Sequence, residues 1–363
     1  MFANNRKISA RQLQWLVILG SIGKAGLLLP RYTGNESGRS FILSLILGAL
    51  LTLLFVFLIG SLAQHIQNDF HAYIQNRLGE KAAFVISIVY LVYVFVDLIY
   101  VTWLFSSVSL TFLLPEKSYI FSMIILLAGG CYMAAGGMEV QGRVAEVLHK
   151  IIIYPLFLML LLAAFAVNPE YLGSGAAQLN IQTLKHGFQM LIPFGSISLF
   201  LFIAPFVNSK KSFKIALRRA AGIIAVSMIG LFLIVIGVFG EAGMRALPWP
   251  AITLMSSVDI PGGFLQRWDV IFTGLLMLCF FVAAGMGLFC MKFLENELLN
   301  GKGKSWYLAV SALVVLAAAV WVGSYETAVK IYTIVNGYIL LPIIAVFIFL
   351  LLYLEWVKRR KEK

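Results

Sequence analysis

The chain has 363 residues, 61% of them hydrophobic and 12% charged, with a mean hydropathy of +0.93. Soluble domains are nearer half apolar and a quarter charged, so these values exclude an ordinary soluble protein and predict an all-α polytopic membrane protein. The net charge of +12 does not point to nucleic acid: the basic residues sit in short loops and at the ends, with no basic face interleaved with aromatics.

A membrane helix needs about 20 mostly apolar residues. Ten such spans are predicted, at 13–30, 41–63, 82–107, 118–136, 147–167, 188–207, 216–239, 268–291, 305–323 and 331–356. Arg6 and Lys7 precede the first span as in a signal peptide, but no Ala-x-Ala site follows, so the span reads as a retained helix. The first span also carries the strongest anomaly. Gly20, Ser21, Gly23, Lys24 and Gly26 interrupt an otherwise apolar run. A central lysine costs roughly 2.5–3.5 kcal/mol on insertion, several times what one leucine returns. Backbone opened here would need burial, a wet cavity or a ligand. Close helix packing accounts for the glycines but not for Lys24.

The segment at 65–81 places Ile66, Phe70, Tyr73, Ile74 and Leu78 at helical spacing, which predicts an amphipathic helix on the inner surface. In the third span Tyr93, Asp97 and Tyr100 share one helix face. A carboxylate at that depth faces a cavity or a partner, and Lys24 is the expected partner. The pair reads either as a lock between helices or as a polar centre for a zwitterionic ligand. Glu139, Arg143 and Glu146 stand one turn apart before the fifth span, as a solvated helix end does.

The sixth span repeats the oddity of the first. Gly195-Ser196-Ile197 echoes Gly20-Ser21-Ile22, and Pro193 removes a helical N–H beside Phe194. It comes five spans after the first, so two halves of five helices lie in opposite orientation. Each half opens with a breakable helix. That is the pattern of an inverted-repeat transporter fold. The expected organisation is one integral membrane domain over 1–363, with repeat one at about 9–167 and repeat two at about 188–356. The segment at 240–267, with Leu247-Pro248-Trp249-Pro250 and Pro261-Gly262-Gly263, is the longest outer loop and is expected to act as a lid or as an ordered surface loop.

With the N-terminus inside, twenty Lys and Arg residues fall on cytosolic segments and seven on outer ones, Lys24 being the last of the 28. Both termini are therefore expected in the cytosol. Cys131, Cys279 and Cys290 lie in apolar spans and are expected to pack as small hydrophobes. Gly303-Lys304-Ser305 resembles a P-loop tail, but Leu298 stands where the first glycine belongs. Asn35-Glu36-Ser37 fits a glycosylation acceptor, and the four histidines share no ligand spacing. Neither an enzyme constellation nor a cofactor or metal motif is present.

Several stretches together resemble a known family. They are Ile8-Ser9-x-Arg11-Gln12, Gly26-Leu-Leu-Leu-Pro30, Tyr73-Ile74-x-x-x-Leu78-Gly79, Gly137-Met138-Glu139-Val140-x-x-Arg143-x-x-Glu146, Pro155 and Pro342 with a basic tail. In order and length the chain is similar to the B subunit of spore germinant receptors, the GerAB-like branch of the amino acid/polyamine/organocation permease superfamily. The resemblance implies an all-α fold of ten transmembrane helices, a LeuT-like 5+5 inverted repeat with broken helices 1 and 6. It also implies a nutrient-sensing subunit in the inner membrane of a spore-forming bacterium, assembled with A-type and C-type subunits and binding a small nutrient such as an amino acid. Carried over by position, it assigns ligand contacts to Gly20, Ser21, Gly23, Gly26, Phe194, Gly195 and Ser196. Residue chemistry adds Lys24, Tyr93 and Asp97. The alternative is a proton-coupled amino acid permease. Many such permeases carry a lysine well inside helix five, whereas here Lys150 stands only at its edge.

Overall fold

The computed structural model describes residues 7–33, 38–66, 69–172, 179–256, 268–299 and 306–361. Helices run through α1 (Ala10–Thr33), α2 (Gly38–Leu62), α3 (Phe70–Leu78), α4 (Glu80–Phe112), α5 (Tyr119–Ala135) and α6 (Gly137–Ala164). After α7 (Pro169–Leu172) and α8 (Ile181–Leu191) comes a 3-10 stretch, Ile192–Phe206. The chain continues through α9 (Lys210–Ala246), α10 (Pro250–Ser256), α11 (Trp268–Leu298), α12 (Tyr307–Val322) and α13 (Tyr325–Ile331). A π-helical stretch, Tyr332–Leu340, leads into α14 (Leu341–Lys361). Among the described residues seven helical segments are long and apolar enough to cross a membrane, and α5 and α12 are shorter apolar helices. With α1 they account for the expected spans.

Polar caps start these helices where the sequence leaves the apolar runs. Ser9 and Gln12 form a reciprocal box at the head of α1, with Ser9 N–H donating to Gln12 Oε1 at 2.9 Å and Gln12 N–H to Ser9 Oγ at 3.2 Å. Asp69, Ser118, Asn180, Ser209 and Ser324 accept from the first-turn N–H groups of α3, α5, α8, α9 and α13. Gly137, at φ +77°, lets the chain turn from α5 straight into α6. The fifth helix therefore begins about ten residues before its apolar run, and Glu139, Arg143 and Glu146 lie inside it.

The two anomalous spans behave differently. α1 is helical throughout, so the interruption expected at Gly20–Gly26 is not a break in its hydrogen-bonded spiral. The α-helix of the sixth span does give way, at Pro193, to 15 residues of 3-10 geometry. That is long for a 3-10 segment and marks strain or function. Pro193 and Pro205 remove two donors from it. A third departure, the π-helix in the tenth span, ends just before Pro342, which removes a donor from the ladder.

α1 occupies the middle of the bundle, packed against α6, α9, α11 and the 3-10 stretch. α4 lies against α5, α11 and the π-helix, and α2 against α8 and α9. Leu16, Val17, Ile18, Leu19, Ala25, Leu27 and Leu28 of α1 are buried in one continuous apolar core. The cysteines carry no disulfide; Cys279 and Cys290 are buried in that core. The helix expected near residues 65–81 forms as α3, with Phe70, Tyr73 and Ile74 buried. In the expected lid, α10 packs inward, with Trp249 against Tyr325 at 5.2 Å between ring centres. Residues 257–267, like Asn35-Glu36-Ser37 and Gly303-Lys304-Ser305, lie outside the described residues.

Candidate functional site

Lys24 projects from the middle of α1 into the core and is only 2% exposed. Its ammonium group donates to Asp97 Oδ1 at 2.9 Å, to Asp97 Oδ2 at 3.0 Å and to Ser196 Oγ at 2.9 Å. All three donors are thereby used, by residues from α4 and from the 3-10 stretch. A buried lysine held this way meets the condition for burying charge: a counter-charge and a full set of hydrogen bonds. One side chain thus ties together spans one, three and six.

Gly20, Ser21, Lys24, Asp97 and Ser196 line one cavity, closed on its other sides by Leu199, Phe200, Ala283, Met286 and Gly287. A Cβ at Gly20 would meet nothing within 4 Å, so this glycine opens α1 toward free space. The cavity measures about 20 Å³. That admits a water-sized molecule, not an amino acid.

One turn along α4, Tyr93 reaches the same stretch of span six. A Cβ on Gly195 would stand 2.5 Å from the Tyr93 hydroxyl and 2.9 Å from Leu341 Cδ1. Only glycine lets the ring approach. Asn336 of the π-helix donates through Nδ2 to the Tyr93 carbonyl at 2.9 Å, and Tyr332 donates to the Ile192 carbonyl at 3.2 Å. Tyr100 stacks on Tyr332 at 4.2 Å. The π-helix therefore braces the 3-10 stretch against α4 by polar contacts inside the apolar core.

The remaining candidates lie elsewhere. At Gly23 a Cβ would meet Cys279 Cβ at 3.1 Å and Phe280 at 3.4 Å, so this glycine serves the close packing of α1 on α11. Gly26 faces Leu231 of α9. Phe194 lines a separate small cavity with Gly48 and Thr52 of α2 and Ile224 of α9.

At the end of the bundle where α1 begins, two of the stretches that carry the family resemblance meet, the one around Ile8–Gln12 and the one around Glu139–Glu146. Ile8 N–H donates to the Phe206 carbonyl at 2.7 Å, and Asn208 N–H to the Ile8 carbonyl at 3.2 Å. Gln12 donates to Glu146 at 2.9 Å, with Arg11 at 3.8 Å from the same carboxylate. Arg143 pairs with Glu139. α3 is fastened by Tyr73, which donates to Glu355 at 2.7 Å, and by Arg77 at 2.6 Å from the same group. Burial, with Glu355 beside it, pushes the Tyr73 hydroxyl pKa well up. Among the described residues no group of three His, Cys, Asp or Glu side chains is placed to hold a metal.

The sequence pattern of the family described as spore germination protein matches residues 7–322. The chain belongs to the spore germination protein family. Spore germination protein KB of Bacillus subtilis (strain 168) is 26% identical over 98% of this chain and 97% of its own length. Spore germination protein B2 of the same organism is 24% identical, covering 96% and 95%. Among solved structures, MhsT in complex with L-phenylalanine superposes with a TM-score of 0.71 at 11% identity, over 94% of this chain and 89% of that one. Mhp1, a nucleobase-cation-symport-1 family transporter in a closed conformation with bromovinylhydantoin bound, gives 0.68 at 14%, over 93% and 77%. The fold is thus the LeuT-like one that the family resemblance implies.

In this spore germination protein, sequence reasoning missed Asn336 and Tyr332, and with them the fourth element of the site, the π-helix. A signal was present: Asn336-Gly337 interrupts an apolar span six residues before Pro342. It passed as ordinary because asparagine carries no charge.

Proposed function

We propose that this chain is the nutrient-sensing membrane subunit of a spore germination receptor, binding a small molecule such as an amino acid in the cavity around Lys24. The observation that carries the reading is the buried Lys24–Asp97–Ser196 cluster, held between spans one, three and six in a member of the spore germination protein family. An ammonium and a carboxylate side by side offer partners for both ends of a zwitterion, and Gly20 and Ser21 supply room and a polar edge. The likeness of fold to a transporter solved with L-phenylalanine supports the same ligand class. Gly20, Ser21, Lys24, Tyr93, Asp97, Gly195 and Ser196 would form or border the ligand site. Gly23, Gly26 and Phe194 would act by letting the helices around it move. Because the cavity is closed to about 20 Å³, binding requires the spans to part.

The same reading takes the chain as one integral membrane domain of two repeats, about 9–167 and 188–356, in the inner membrane of a spore former with both termini in the cytosol. Its partners would be A-type and C-type receptor subunits, and its role is binding rather than catalysis. The test is the purified protein in liposomes, presented with labelled amino acids, sugars and nucleosides. Saturable binding without accumulation is expected. Proton-driven accumulation against a gradient would replace this reading with that of an amino acid permease.

A further inference from the structure

A second cavity lies on the opposite side of α1. It measures about 270 Å³ and is walled by α1, α6, α9, α10 and α11. Ile22 and Gly26 of α1 form its inner wall. Ser227 apart, no lining side chain carries a polar group. On α9, Gly230 opens onto it, with nothing within 4 Å of where a Cβ would stand. At the rim Phe157 is 67% exposed, Leu161 51% and Val226 72%. These residues belong to α6 and α9, both long and apolar enough to cross the membrane, so the mouth opens sideways at membrane depth.

Water does not remain in an apolar cavity, and packed protein interiors hold few voids larger than a water molecule. What stands at the mouth is the hydrocarbon of the bilayer. We propose that one acyl chain of a bilayer phospholipid inserts between α6 and α9 and rests on Ile22 and Gly26. α1 is then the wall between two cavities. Gly20, Ser21 and Lys24 face the polar one, and Ile22 and Gly26 face the lipid. A chain in place supports α1 from behind, so any movement of α1 that opens the polar cavity must displace or compress it.

The test uses the purified protein in nanodiscs containing a trace of phospholipid with a diazirine in its acyl chain. After irradiation, label is located by peptide mass spectrometry. The expected result is label concentrated on 157–161 and 226–234, above that at Phe349, an exposed apolar residue of α14. Gly230→Leu fills the cavity, and label at those two segments should fall to the Phe349 level. Ser227→Leu, at a position of ordinary helix, is the second variant and decides the matter if Gly230→Leu does not elute as a folded monodisperse species. Wild-type label no higher than at Phe349 would overturn the proposal, as would label unchanged by the substitution in folded protein. Protection of both segments by a co-purified membrane subunit would assign the cavity to a partner and would also overturn the proposal.

Discussion

Lys24 is the residue on which the interior depends. Its ammonium has three acceptors within 3.0 Å, and removing it strands a buried carboxylate. Lys24→Met is expected to destabilise the protein by about 3–5 kcal/mol, the usual loss when one member of a buried pair is deleted. Lys24→Met with Asp97→Asn should recover most of the thermal midpoint. If Lys24 serves the ligand, that double variant folds but fails to bind the nutrient; normal nutrient binding would remove Lys24 and Asp97 from the site. Gly195 gives a second test. A methyl there collides with the Tyr93 hydroxyl at 2.5 Å, so Gly195→Ala should cost about 1–3 kcal/mol, as overpacking does. Tyr93→Phe in the same chain removes the colliding oxygen and should return part of that loss; no recovery would place the strain at Leu341.

At the scale of the element, α3 is more than a connector. Phe70 packs edge-on against Tyr90 and Phe202, at 6.0 and 5.0 Å between ring centres. Tyr73 and Arg77 bind Glu355 of α14 from the other side. α3 therefore links spans three, six and ten beneath the Lys24 cavity. His65, just before α3, has its pKa pushed below the ordinary 6.5. Burial is the main cause; Arg359, Lys210 and Arg77 add to it and Glu355 opposes it. The folded state thus prefers the neutral ring. Stability from this group is complete above pH 6.5 and is lost as pH falls from there through the lower folded-state value. Protection factors across α3, corrected for the intrinsic exchange rate at each pH, should fall on acidification through that window, and His65→Gln should flatten the response. An unchanged pH profile in the variant would show that other groups govern the docking of α3.

At the scale of the whole molecule, ten spans with the first and sixth set apart make a bundle whose apolar core encloses one small polar cluster around Lys24. Two repeats running in opposite directions are the proposal, and under it the basic residues predict Ser209 inside and Ser256 outside. Ser209→Cys and Ser256→Cys, each in a chain freed of Cys131, Cys279 and Cys290, should react with a membrane-impermeant thiol reagent from opposite sides. Reaction from the same side would contradict the orientation argued from the basic residues.

The fold class followed from apolar run length and the position of two flawed spans, because bilayer thickness fixes helix length and charge is costly inside it. The pairing of Lys24 with Asp97 was legible for the same reason: each was a buried charge that needed an opposite. Ser196 entered the candidate site through the family resemblance, but its bond to Lys24 needed three dimensions. The sequence left Gly20, Gly23 and Gly26 equivalent. Tertiary structure separated them, since a helix turns about 100° per residue and each glycine faces a different neighbour: a cavity, α11 and α9. It also decided that α1 stays helical while span six winds to 3-10 geometry. Glycine permits a break without requiring one, whereas Pro193 and Pro205 take away two donors. The bracing by Asn336 and Tyr332 joins residues about 140 and 240 positions from their partners, a distance at which sequence alone carries no register.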